Sequence, residues 1–108
     1  MALYKKEFGA QFELGFDLAK YDWLTDKSWH NDVCPSFTYK TSDGYFILWV
    51  DYIDPEQREF EQCRYTVISA INEGDEDSPE VFSFSESVTI FESESDDDLI
   101  EFLSCVVA

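Results

Sequence analysis

No basic residue follows Arg64 in this 108-residue chain. The whole sequence has seven lysines and arginines against 24 acids, a net charge of −17. That shortage excludes two classes of partner. Nucleic-acid backbones are gripped by Lys and Arg, so direct nucleic-acid binding is not expected. Anionic membrane surfaces recruit basic clusters, and none is present.

Other shortages narrow the field further. No stretch approaches the roughly 18 apolar residues of a membrane span. Glu7, Gln11, Glu13 and Asp17 interrupt the apolar residues of the first segment, so it does not read as a secretory signal. The three cysteines, Cys34, Cys63 and Cys105, are odd in number and lack C-x-x-C spacing. They read as free thiols in a reducing compartment, and a cytoplasmic location is expected. There is one histidine, His30. Cys34 lies four residues away with Asp32 between, yet a hydrogen-bonded loop histidine is the plainer reading than a Cys–His catalytic pair. No catalytic residue is assigned. Structural zinc needs paired short spacings, and only one pair exists. The runs Asp75-Glu76-Asp77 and Asp96-Asp97-Asp98 lack the Gly and closing Glu of an EF-hand loop. No phosphate-binding Gly-rich turn occurs. No metal and no cofactor is therefore expected.

Apolar residues are plentiful: 44% hydrophobic and 18% aromatic. That is enough to build one core, so the chain reads as a single acidic α+β domain over residues 1–108. Tyr4, Phe8, Ala10, Phe12, Leu14, Phe16 and Leu18 fall on even positions and polar residues or Gly on most odd ones, which predicts a strand over about 10–18. Residues 19–35 show no clean period and are long for a plain connection. Ser36–Ser42 and Tyr45–Ile53 flank Asp43-Gly44, a hairpin signal. Asp54-Pro55-Glu56 opens a turn or two of helix. Arg64–Asn72 is β-branched and apolar, a further strand. Val81–Phe91 alternates with Phe82, Phe84, Val88 and Ile90 on one side. Glu86 shares that side, so a bulge or tight turn is expected near Ser85–Ser87. At the end, Ser95 is placed to cap a helix and Asp98 to complete a capping box. Leu99, Phe102, Leu103 and Val106 make its apolar stripe. The expected fold is an antiparallel sheet of about five strands with one C-terminal α-helix packed on it.

The charge is unevenly spread. Residues 1–50 hold seven acids and five lysines, net −2, whereas residues 51–108 hold seventeen acids and two arginines, net −15. Eleven carboxylates lie between Glu73 and Asp98. At the charge density of duplex DNA they would match roughly 19 Å of its axis. Glu92, Glu94 and Asp96 are spaced two apart, which on a strand places them about 6.6 Å from one another on one face. The expected function is non-enzymatic: an acidic protein presenting a negative surface to a basic partner, such as a nucleic-acid-binding protein or nuclease. Nucleic-acid-mimicking inhibitors and acidic immunity proteins work by this logic, and the parallel is one of charge alone. The expected contact residues are Glu73, Asp75, Glu76, Asp77, Glu80, Glu92, Glu94, Asp96, Asp97 and Asp98. Two alternatives compete. One is a small-ligand or enzymatic domain using the loop Trp29, His30, Asn31 and Asp32, which combines a stacking surface with donors and acceptors. The other is a domain whose acidity serves solubility or salt adaptation alone.

Overall fold

The hairpin is the centre of the architecture. β2 (Ser36–Thr41) and β3 (Gly44–Val50) pair antiparallel, from Ser36 opposite Trp49 to Thr41 opposite Gly44. The turn residues are Ser42 and Asp43, one position earlier than the Asp-Gly signal suggests. Neither has positive φ; Gly44 does, at 131°. The glycine therefore serves the turn from its strand end. β4 (Tyr65–Asn72) pairs with β3, and β1 (Thr25–Asp26) adds two residues beside β2. β5 (Val81–Phe82) and β6 (Thr89–Ser93) both pair with β4, at its two ends. The result is an antiparallel sheet of five to six strands with a C-terminal helix, α2 (Asp96–Ser104): an α+β fold. The computed structural model describes residues 2–75 and 77–107.

One face of the sheet carries the core. Phe37, Leu48 and Val67 are fully buried and sit side by side across β2, β3 and β4. Phe91 continues that row on β6 and stacks on Phe102 of α2 at 4.5 Å. Leu99 and Leu103 complete the helix's buried stripe. The capping signal at Ser95 is correct: its hydroxyl accepts from Asp98 N–H at 3.3 Å. The expected capping box closes through a third residue. Ser95 N–H donates to Ser93 Oγ, and the Ser93 hydroxyl donates to Asp98 Oδ2.

The first segment departs from expectation. Residues 10–18 are not a strand, and a short helix, α1 (Leu3–Phe8), precedes them. Its start is capped from a distance, because Tyr4 N–H donates to Asp26 Oδ2 at 2.8 Å. The alternation after it does mark inside and outside: Phe12 and Leu14 are buried, and Gln11, Glu13 and Asp17 are exposed. What is missing is a strand partner. Arg64 Nη2 donates to Glu13 O, and the Tyr65 hydroxyl lies 2.7 Å from Leu14 O. Arg64 thus satisfies a carbonyl that a neighbouring strand would otherwise bond, and the single Tyr65 hydroxyl proton is shared between Leu14 O and Asp96 Oδ1. Gly15, at φ 84°, turns the chain away from extended geometry.

The predicted strand Val81–Phe91 is broken as the Glu86 conflict required. A turn brings Ser87 N–H to Phe84 O, and the Ser87 hydroxyl accepts from Phe84 N–H. The register then slips, with Val67 opposite Phe91 but Ile68 opposite Thr89, so Ile90 is bulged. The inward residue is consequently Phe91. Phe82, Val88 and Ile90, expected inside, are exposed.

Candidate partner-binding surface

The two arginines of the acidic half are withdrawn from the surface. The Arg58 side chain is only 4% exposed, and its guanidinium grips both Glu94 oxygens, at 2.8 and 2.9 Å. It also donates to the carbonyls of Tyr52, Ile53 and Gln62. The Arg64 side chain is 6% exposed and bonds Asp96 Oδ1 at 2.7 Å. Arg58 holds the Glu94 carboxyl below its ordinary range, and the Arg64 backbone N–H adds to this. Of the proposed contact residues, Glu94 and Asp96 are therefore engaged in holding the fold, although each keeps part of its carboxylate in water.

The remaining acids divide into two groups. The first lies in the loop after β4, which Asn72 organises. Asn72 Oδ1 accepts from the backbone of Gly74 and Glu80, and Asn72 Nδ2 donates to the Tyr45 hydroxyl and Asp75 O. Asp75 spends one oxygen on Ser78 N–H at 2.6 Å. Glu73, Asp77 and Glu80 face solvent; Glu76 lies outside the described residues. The second group lies at the other end of β4, where Ser93 pairs with Tyr65. It contains Glu92, Asp97 and Asp98, all exposed. Seven residue steps along β4 hold the two groups about 23 Å apart. They do not form one continuous row, and β6 ends before Glu94 and Asp96.

The sequence reading missed a set of acids that belongs with the second group. Asp54, Glu56, Glu59 and Glu61 are exposed on the segment that Arg58 ties to Glu94. Phe60, 60% exposed, stands among them. Four acids in eight residues was a legible signal; their attachment to Glu94 was not.

The alternative loop also acquires a place. Trp29–Asp32 is a turn, with Asp32 N–H donating to Trp29 O. His30 turns away from Cys34: its Nδ1 meets Glu7 Oε1 at 3.1 Å, while the Cys34 thiol is wholly buried. The hydrogen bond from His30 holds the Glu7 carboxyl below its usual range. Trp29 and Asp32 instead line a groove of about 520 Å³ on the second face of the sheet. Thr38, Ile47 and Trp49 form its floor, and Phe82 and Glu80 stand on the far wall. Burial raises the Asp32 carboxyl above its ordinary range. Among the described residues no group of three His, Cys, Asp or Glu side chains is arranged to hold a metal ion, and no helix is long and apolar enough to cross a membrane.

No family model, no curated protein and no solved structure matches this chain.

Proposed function

We propose that this protein is a non-enzymatic acidic binding protein that presents a negative surface to a basic partner. The observation that carries this reading is the withdrawal of Arg58 and Arg64, each buried and matched by one carboxylate. Residues 51–108 thereby display acid without base. Long-range attraction of this kind raises association rate and selects for complementary charge. The exposed Phe60 beside Glu59 and Glu61 supplies an apolar anchor of the sort that holds a complex once formed. A partner built to grip phosphates, such as a nuclease or another nucleic-acid-binding protein, presents the matching charge.

The test is a pull-down from the native host at low salt, eluted with a salt gradient, followed by kinetics on the partner recovered. Glu59, Glu61, Glu92 and Asp97 are changed to their amides, which spares Glu94, Asp96 and Asp98. The variant should associate more slowly, and the defect should shrink as salt rises. Unchanged association at low salt overturns the reading.

The groove beside Trp29 and Asp32 favours a second reading, a small-ligand site. Its enzymatic form has less support, because His30 is paired with Glu7 and Cys34 is buried.

A further inference from the structure

We infer that the groove on the second face of the sheet is a receptor for an arginine side chain of the basic partner; this rests on the function proposed above and assigns it a specific pocket. Three aromatic rings, Trp29, Trp49 and Phe82, line one cavity with two carboxylates, Asp32 and Glu80. A cation is attracted to an indole face and to a carboxylate for different reasons, and the guanidinium is the cation that suits both. It is planar, so it stacks on a ring, and its fork of N–H groups matches a carboxylate.

Three further observations favour that occupant. The Asp32 carboxylate is half-buried and accepts no hydrogen bond among the described residues, so its oxygens are free to receive a donor from a ligand. Trp29 is 51% exposed, and among the described residues its one ring contact is His30 at 6.0 Å. An indole left half in water recovers apolar burial when something covers it. Finally, Lys27 is the single base on the groove wall, and it forms no ion pair with Asp32 or Glu80 among the described residues. The charged groups lining the groove are thus two acids against one base, a negative balance. The floor is apolar at Ile47, which receives the methylene stem of a long side chain.

The probe is the peptide acetyl-Gly-Arg-Gly-Arg-Gly-amide, titrated into the ¹⁵N-labelled full chain at physiological salt. Its match with citrulline in place of arginine has the same shape and no charge. The arginine peptide should shift the Trp29 and Trp49 indole N–H signals saturably. The citrulline peptide should bind about tenfold more weakly or worse, as loss of a charge-assisted contact requires. Trp29→Ala and Asp32→Asn should each weaken the arginine peptide by about threefold to tenfold. Asp32→Asn preserves shape, so it answers the question even where Trp29→Ala disturbs the loop. Glu101→Gln, exposed on α2 and outside the proposed contact residues, should change affinity less than twofold. Silent indole signals, equal binding of citrulline, or a Glu101→Gln loss equal to that of Asp32→Asn each overturns the arginine pocket. If the groove fails while the four-amide variant still slows the native partner, only the pocket assignment falls. If the partner recovered is not basic, the reading beneath it falls as well.

Discussion

Arg64 and Asp96 meet at 2.7 Å across 32 residues of sequence, and their contact fastens three parts of the chain together. The same Asp96 oxygen lies 2.6 Å from the Tyr65 hydroxyl, and the Arg64 guanidinium lies 5.0 Å from the Tyr65 ring centroid. Through Glu13 O and Leu14 O, the pair holds the irregular N-terminal segment against the sheet. Burial pushes the Tyr65 hydroxyl above its usual range, and the hydrogen bond to Asp96 adds to this.

Gly15 is the tightest point of that clamp. A Cβ there would overlap the Tyr65 hydroxyl and lie 2.7 Å from Asp96 Oδ1. Gly15→Ala should cost about 1–2 kcal/mol from its backbone angle alone, and more from the overlap. Tyr65→Phe removes the overlapping oxygen and should itself cost about 1 kcal/mol. Urea denaturation of the double variant should show a loss smaller than the sum of the two singles. Strict additivity would mean that the clamp is looser than these contacts require.

The helix offers a graded series. Ser95→Ala should cost about 0.5–2 kcal/mol as a lost cap. Ser93→Ala should also destabilise, because its hydroxyl links Ser95 N–H to Asp98. Leu103→Ala, in the core, should cost about 2–5 kcal/mol. The order is read from denaturation midpoints, and a Leu103→Ala loss no larger than that of Ser95→Ala would show that α2 is not docked.

Glu94 carries a pH signature. Its folded pKa is depressed, chiefly by the hydrogen bond from Arg58. Its contribution is therefore fully present above the unfolded value of about 4.3. It declines as pH falls from there and is gone below the folded value. Glu94→Gln should cost about 1–3 kcal/mol at pH 7, where it leaves a buried guanidinium short of an acceptor. The gap between parent and variant should stay constant from pH 7 to about pH 5 and close below about pH 4. A gap that persists undiminished to pH 3 would assign the loss to packing rather than charge.

The three thiols should react in a fixed order. All are free; Cys105 is exposed, Cys63 is half-buried and Cys34 is buried. Burial raises the Cys34 thiol most, and the Asp51 and Asp32 charges raise it further. Burial also raises Cys63. Maleimide labelling followed by mass spectrometry should modify Cys105 first, then Cys63. Cys34 should label only when the chain unfolds. Early labelling of Cys34 would contradict the packing of the segment that leads into β2.

Local signals proved legible where the physics was local. The Asp43-Gly44 hairpin, the Asp54-Pro55 turn and the Ser95 cap each depend on neighbours within a few residues. Asp54, for example, accepts from Glu56 N–H. Elements fastened from afar were hidden. The cap of α1 is supplied by Asp26, and the backbone partners of residues 13 and 14 are the side chains of Arg64 and Tyr65. Period two separated inside from outside at residues 11–14 but not at Ala10, which is exposed, and it carries no information about strand pairing. The bulge at Ile90 put Phe91 inward where Ile90 was expected, because one extra residue moves the side chains after it across the sheet. For the candidate surface, acid content was legible and position was not. Nothing in the spacing of Glu94 and Asp96 distinguishes them from Glu92 and Asp97, yet two are bound by buried arginines and two face open water.

The bulged, five-residue β6 has a consequence for the behaviour of many copies together. A sheet margin is a template, because its free N–H and C=O groups invite another extended chain. Here one margin is the two-residue β1. The other is shared by the two-residue β5 and by β6, which is bulged at Ile90, carries Glu92 and is followed at once by the turn into α2. Two copies meeting margin to margin would find no straight run to zip along. They would also bring together two bodies of charge −17. These features oppose edge-to-edge pairing at a margin where Val88 and Ile90 are exposed.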